Sequence, residues 1–109
     1  MTDLVLVLTT MPDDERAEGL ARALVEEQLA ACVSLAAPMT STYRWRGTVE
    51  QARERQLIIK TSATQLERLE ARLKALHPHE LPEFVVLRGE ASDEYGGWVR
   101  AVTVARGDG

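Results

Sequence analysis

Two imidazoles and two carboxylates fall within one short stretch, His77-Pro78-His79-Glu80-Leu81-Pro82-Glu83. Imidazole suits copper, zinc and nickel, and carboxylates add charge for any divalent cation, so His77, His79 and Glu83 are the candidate metal ligands. A His-x-His spacing with a central proline matches no standard ligand pattern. The same residues also read as a loop that stops a helix and starts a strand, with its polar groups facing water. Cys32 is the sole cysteine. Alone it forms no internal disulfide and no thiolate zinc site, and its apolar setting, Ala30-Ala31-Cys32-Val33, reads as that of a small buried hydrophobe.

Tyr43-Arg44-Trp45-Arg46-Gly47 alternates aromatic and guanidinium side chains on opposite faces of a strand. Such interleaving can grip single-stranded nucleic acid. The chain, however, carries thirteen Lys+Arg against seventeen Asp+Glu, a formal charge of −4, whereas nucleic-acid affinity normally rests on a basic face. An oligomer interface at a hairpin tip fits better, because Tyr, Trp and Arg are its usual anchors. Lys60, at the end of the apolar Ile58-Ile59, has the chemistry of an anion ligand, but a structural ion pair with Glu50 or Glu83 is the expected role. No Ser-His-Asp order or paired-carboxylate motif stands out, so no enzymatic activity is expected. The turn Thr9-Thr10-Met11-Pro12-Asp13-Asp14 lacks glycine and opens on acidic residues, which excludes P-loop and Rossmann-type phosphate binding.

The elements that must position these side chains follow from hydrophobic periodicity. Leu4 to Leu8 is an unbroken apolar run, the pattern of a central strand covered on both faces. A helix is expected from Asp13 to Ala30, with Ala17, Leu20, Ala21, Leu24 and Gln28 on one face and Gly19 as a point of close approach to the sheet. Ala31 to Leu35 reads as a strand, broken near Pro38 and resumed from Thr40 to Arg46. The chain turns at Gly47 and returns as a strand from Thr48 to Thr61. Thr64-Gln65-Leu66-Glu67 is a capping box for a helix with the stripe Leu66, Leu69, Leu73 and Leu76, stopped at His77-Pro78. Glu83 to Leu87 is the last strand, and Ser92 caps a short helix carrying Tyr95, Trp98, Val99 and Val102. The order β-α-β-β-α-β plus a C-terminal helix predicts an α+β, ferredoxin-like split βαβ domain spanning residues 1–109.

The long central hairpin carries a consequence for assembly. The first helix would be about 27 Å long at 1.5 Å per residue. An arm from Ala31 to Arg46 reaches on the order of 50 Å at 3.3 Å per residue. Two helices of one subunit cannot cover it, and its outer part carries Tyr43 and Trp45, each worth about 2–3 kcal/mol if buried. Self-association is therefore expected. Met1-Thr2-Asp3 carries no basic segment and Leu4 to Leu8 is too short for a signal or membrane core, so a reducing cytoplasm and no membrane partner are expected.

Leu29-Ala30-Ala31-Cys32-Val33, Tyr43-Arg44-Trp45-Arg46-Gly47, Lys60-Thr61, His77-Pro78, Leu81-Pro82-Glu83 and Trp98 together resemble the CutA family of divalent-cation tolerance proteins. The resemblance spans nearly the whole chain, in order. It implies a ferredoxin-like protomer, a homotrimer built on the long hairpins, a bacterial cytoplasm, and a role in tolerance of copper and other divalent metals without an obligatory cofactor. Members proposed to bind copper carry a cysteine at the end of the first strand and a His-His pair before the proline. This chain has Thr9 at the first position and Leu76-His77 at the second, which leaves His77 as the expected main ligand. The resemblance to nitrogen-regulatory signalling trimers implies a second possibility, a ligand or interaction cleft between subunits lined by Tyr43, Trp45, Glu50, Lys60 and Trp98.

Overall fold

The computed structural model describes residues 1–104. In chain order the elements are β1 (Thr2–Pro12), α1 (Glu15–Glu26), β2 (Cys32–Leu35), β3 (Met39–Trp45), β4 (Thr48–Thr61), α2 (Leu66–Leu76), β5 (Val85–Ala91) and α3 (Asp93–Val102). All pairings are antiparallel, in the order β2-β4-β1-β5, with β3 continuing beyond β2 along the same edge of β4. The expected α+β split βαβ order holds, with β1 at the centre. The tip is a two-residue turn in which Arg46 (φ 50°) and Gly47 (φ 80°) both take left-handed backbone. That geometry matches the twist of the flanking strands.

Val5, Val7, Met11, Leu57 and Ile59 point to one face of the sheet and are buried beneath Ala17, Leu20 and Leu24 of α1 and Leu69 and Leu73 of α2. The other face is not sealed, contrary to the expectation from the apolar run. Leu4, Leu6 and Leu8 are only half-buried there, and Val85 and Leu87 of β5 beside them are exposed.

Several boundaries differ from the sequence reading, each for a local reason. Helix α1 has twelve residues rather than running to Ala30. Asp14 caps its start by accepting the Arg16 N–H at 2.9 Å. It ends in a left-handed residue, Gln28 (φ 61°), with Leu29 N–H bonded to Leu24 O and Gln28 N–H to Val25 O, the double bond of a Schellman cap. The capping box at Thr64 does not form; a short 3₁₀ turn, Ala63–Gln65, leads into α2. Gln65 is drawn inward because its Nε2 donates to Thr103 O at 2.8 Å, tying α2 to the end of α3. The last strand starts at Val85 rather than Glu83, because pairing with β1 ends at Leu8–Val85. Close approach falls at Gly96, not Gly19: a Cβ on Gly96 would lie 2.6 Å from the Thr2 side chain, while Gly19 faces open space.

Candidate functional site

Strand β4 has fourteen residues and changes neighbours along its length. From Glu54 to Thr61 it pairs with β1, and from Leu57 to Lys60 also with β2. From Thr48 to Arg53 its partner is β3 alone. This outer stretch is a two-stranded ribbon extending about 20 Å at 3.3 Å per residue, and it stretches the molecule to 46 Å.

The loop after α2 folds back along this hairpin and makes a groove of about 930 Å³ on the unsealed side of the sheet. One wall carries Tyr43 and Trp45, the other His79, Leu81 and Pro82, and the inner end is formed by Thr10, Glu54, Gln56 and Glu83. Arg46 at the hairpin tip reaches the loop, donating from Nη2 to Glu80 Oε2 at 2.6 Å. The same guanidinium lies 5.2 Å from the Trp45 ring centre, a cation–π distance. Gln56 Nε2 donates to both Thr9 O (2.7 Å) and Glu83 Oε2 (2.8 Å), which anchors the end of the loop to the sheet.

His77 sits at the root of this loop and is 8% exposed. Its extended backbone, with ψ 136°, is what a following proline imposes. Nδ1 accepts the His79 backbone N–H at 3.1 Å. Nε2 therefore carries the proton and donates to Thr10 O at 2.7 Å. Burial pushes the imidazole pKa below its ordinary value and the neighbouring His79 adds to this, against the raising influence of the Thr10 carbonyl and of Glu54. His77 is a neutral strut between loop and sheet.

The candidate metal ligands are therefore not assembled as the sequence suggested. Both His77 nitrogens are occupied by backbone groups, one Glu83 oxygen accepts from Gln56, and His79 is exposed, its ring centre 4.8 Å from that of His77. Among the described residues no group of three or more His, Cys, Asp or Glu side chains stands ready to hold a metal ion. Cys32 is half-buried rather than sealed, with Sγ 3.9 Å from Ser34 Oγ.

The candidate cleft residues fall into two groups within one chain. Tyr43 and Glu50 are cross-strand partners and Trp45 is next to the turn, all on the ribbon. Lys60 and Trp98 lie at the opposite end of β4, where Lys60 Nζ stands 5.5 Å from the Tyr95 ring centre and the Tyr95 ring, tilted by 47°, has its centre 5.5 Å from that of Trp98. The expected Lys60 ion pair does not form. Glu50 is ten residues away along an extended strand, and Glu83 is engaged with Gln56.

Glu54, Gln56, Tyr95 and the Arg46–Glu80 pair were not singled out by residue type. Strand alternation carries a signal for the first two: with Leu57 and Ile59 inward, Glu54, Gln56, Ile58 and Lys60 must share the opposite face. An acidic residue there, level with the end of β1, marks the groove.

A two-layer split βαβ protomer with a hairpin running beyond its helices defines the ferredoxin-like class. Residues 5–102 match the family model described as CutA1 divalent ion tolerance protein, and the chain belongs to that family. It is similar to the divalent-cation tolerance protein CutA of Thermus thermophilus, at 46% identity over 99 residues, 90% of this chain and 96% of that one. Among solved structures, CutA from Xylella fastidiosa superposes with a TM-score of 0.89 at 40% identity, covering 94% of this chain and 100% of that one. The PII-like protein CutA from Nostoc gives 0.86 at 42% identity, covering 92% and 97%.

Proposed function

We propose that the chain serves divalent-cation tolerance as a cytoplasmic homotrimer that catalyses no reaction and binds copper or another divalent ion weakly. Family membership supports the tolerance role. The observation that carries the trimer is the uncovered ribbon: Tyr43 is 45% exposed on a two-stranded arm, beside a sheet face left half-open by Leu6, Leu8, Val85 and Leu87. A two-stranded ribbon is marginal in water by itself, and neighbouring subunits would supply its missing cover. No helix among the described residues is long and apolar enough to cross a membrane.

Weak metal binding is supported by the chemistry of the loop. Thr9 and Leu76 offer no soft or imidazole ligand, and His77 would have to give up a backbone bond to coordinate. His79 and the free capacity of Glu83 remain, with water completing the shell, so affinity would follow the usual preference for copper without geometric selection. Light scattering at micromolar concentration tests the assembly, and a persistent monomer overturns it. Calorimetry with copper tests the metal reading: His79→Ala is expected to lose more binding than His77→Ala. A tight site of fixed stoichiometry that survives both substitutions overturns it.

A second reading is favoured by Lys60, which has an aromatic ring rather than a carboxylate beside it. In a trimer, Tyr43, Trp45 and Glu50 of one subunit and Lys60 and Trp98 of another would line a cleft for a small ligand or a protein partner.

A further inference from the structure

On the helix side of the sheet, away from the ribbon and from the open face, the start of α2 and the end of α3 enclose a recess of about 460 Å³. Its lining includes Ser62, Thr64, Gln65, Arg68, Arg100 and Thr103. Ser62, Gln65 and Thr103 are buried, and buried polar groups are tolerated where each finds a partner. Thr103 Oγ1 gives its proton to Val99 O at 2.7 Å. The 3.0 Å contact between Ser62 Oγ and Thr103 Oγ1 is therefore Ser62 donating, and the 3.2 Å contact between Thr64 Oγ1 and Ser62 Oγ is Thr64 donating. This chain of hydroxyls leaves other groups unanswered. Ser62 stands at the cap position of the turn that opens α2, but its side chain makes no capping bond, and the N–H groups of Ala63 and Thr64 have no acceptor among the described residues. Gln65 is 1% exposed; its Nε2 donates to Thr103 O and, at 3.4 Å, to Gln28 O, while its Oε1 has no partner. At the rim, Arg68 and Arg100 are exposed and make no hydrogen bond or ion pair among the described residues, and Arg100 acts on Asp93 only at longer range.

Donors without acceptors thus surround one acceptor without a donor. An oxyanion answers the first, and an oxyanion that keeps a proton answers both. We propose that this recess binds hydrogen phosphate, its bare oxygens on the first N–H groups of the turn into α2 and on Arg68 and Arg100, and its P–OH donating to Gln65 Oε1. The planar fork of arginine suits phosphate oxygens, and the positive end of the helix adds to it. Sulfate has the same shape and charge but no proton at neutral pH, so it would set acceptor against acceptor at Gln65 Oε1. Exposed Glu67 also lines the recess and repels an anion, which holds the affinity down. None of the residues in the metal and cleft readings takes part, so this site stands or falls apart from them.

The test is calorimetric titration of the full chain, in whatever assembly it forms, with inorganic phosphate, sulfate and methyl phosphate. A phosphate monoester has a second pKa of about 6, so at about pH 8 methyl phosphate, like sulfate, has no proton to give. Phosphate is expected to bind there at millimolar concentration or tighter, with sulfate and methyl phosphate weaker by about tenfold or more. At about pH 5 methyl phosphate regains its proton and should close most of that gap. Arg68→Gln and Arg100→Gln should each weaken phosphate by about fivefold or more, and Glu67→Gln should strengthen it. Arg22→Gln, exposed on α1, should change nothing. Gln65→Met keeps the length of the side chain and should bring phosphate and sulfate together; because it also cuts the tie to Thr103, it is read only as that ratio. Equal binding of phosphate and sulfate by the parent chain, phosphate binding that survives both arginine substitutions, or no phosphate binding at all overturns the proposal. A preference for methyl phosphate over phosphate at about pH 8 would overturn free phosphate as the ligand and assign the recess to a phosphate ester.

Discussion

Leu57 and Ile59, in the second half of β4, are sealed beneath the helices, while Val49, in the first half of the same strand, is 60% exposed. Both halves are fully paired antiparallel strand. The difference lies in what stands beside and above them. The second half runs between β1 and β2 with α1 and α2 over one face, whereas the first half has β3 alone. Backbone pairing is common to both, so burial separates them: each sealed side chain contributes about 1.5–3 kcal/mol that an exposed one does not. The body of the domain is held by its own chain, and the arm depends on whatever covers it.

The largest test of this contrast is a pair of truncations. Leu57→Ala should lower the unfolding free energy by about 2–5 kcal/mol, because it opens a cavity in a closed core. Val49→Ala should change it by less than about 0.5 kcal/mol, as at an ordinary surface position. Chemical denaturation of both variants reads the result, and comparable losses would mean that the arm is as deeply covered in solution as the body. Next comes the arm's anchor. Trp45→Ala should weaken assembly by about 2–4 kcal/mol, the usual cost of removing a central aromatic anchor. Dilution followed by light scattering checks it, and an undiminished oligomer with an unchanged Tm would take the arm out of the assembly.

Two glycines sharpen the comparison further. Gly96→Ala forces a Cβ into Thr2, where α3 crosses the start of β1, and should cost about 1–3 kcal/mol by overpacking. Gly19→Ala, on the exposed side of α1 with nothing within 4 Å, should stabilise by about 0.5–1 kcal/mol through helix propensity. Thermal melts of the two variants should therefore move in opposite directions.

The elements of the body were legible in the sequence because their periodicity reports local burial: Ala17, Leu20, Ala21 and Leu24 at helical spacing mark a face that the chain itself covers, whereas the uninterrupted run in β1 marked the strand but not that only its Val5 and Val7 side would be sealed. The full length of β4 was legible too, from turn glycine to Thr61. Its site was not. Glu54 and Gln56 differ from any other polar strand residues only through the loop that folds over them, and that loop is positioned by contacts between residues far apart in sequence, His77 to Thr10 and Arg46 to Glu80. For the same reason His77 read as a metal ligand by type, whereas its nitrogens are used by a backbone carbonyl and a backbone amide that no spacing rule reveals. Gln28 and Arg46 show a related limit. Both hold left-handed backbone without being glycine or asparagine, so neither announced the helix end or the first turn position.

His77 joins the two regions, since it fastens the loop along the arm to the end of β1 in the body, and its ionisation should loosen that joint. The folded imidazole is neutral, donating from Nε2 and accepting at Nδ1, and its pKa is depressed chiefly by burial. In the unfolded chain the same group titrates near its ordinary value of 6.5. Below that pH the unfolded state binds a proton that the folded state refuses, so stability should fall as pH drops from about 6.5 towards the depressed folded value and then level off. Protonation of the folded ring would also put a hydrogen on Nδ1, where the His79 N–H already points, and break that bond. The slope can amount to no more than one proton per chain, so this effect should be smaller than that of any core or anchor truncation. Denaturation curves collected across this window, compared between the parent chain and His77→Gln, isolate it: the parent should lose stability on acidification and the variant should lose less. His79→Ala removes a neighbour that adds to the depression of the His77 pKa, and should lessen the slope by less than His77→Gln does. A parent whose stability is flat or rises as pH falls through the window, or a His77→Gln variant with an undiminished slope, would show that the imidazole is not held neutral and that the loop is fastened to the body by something else.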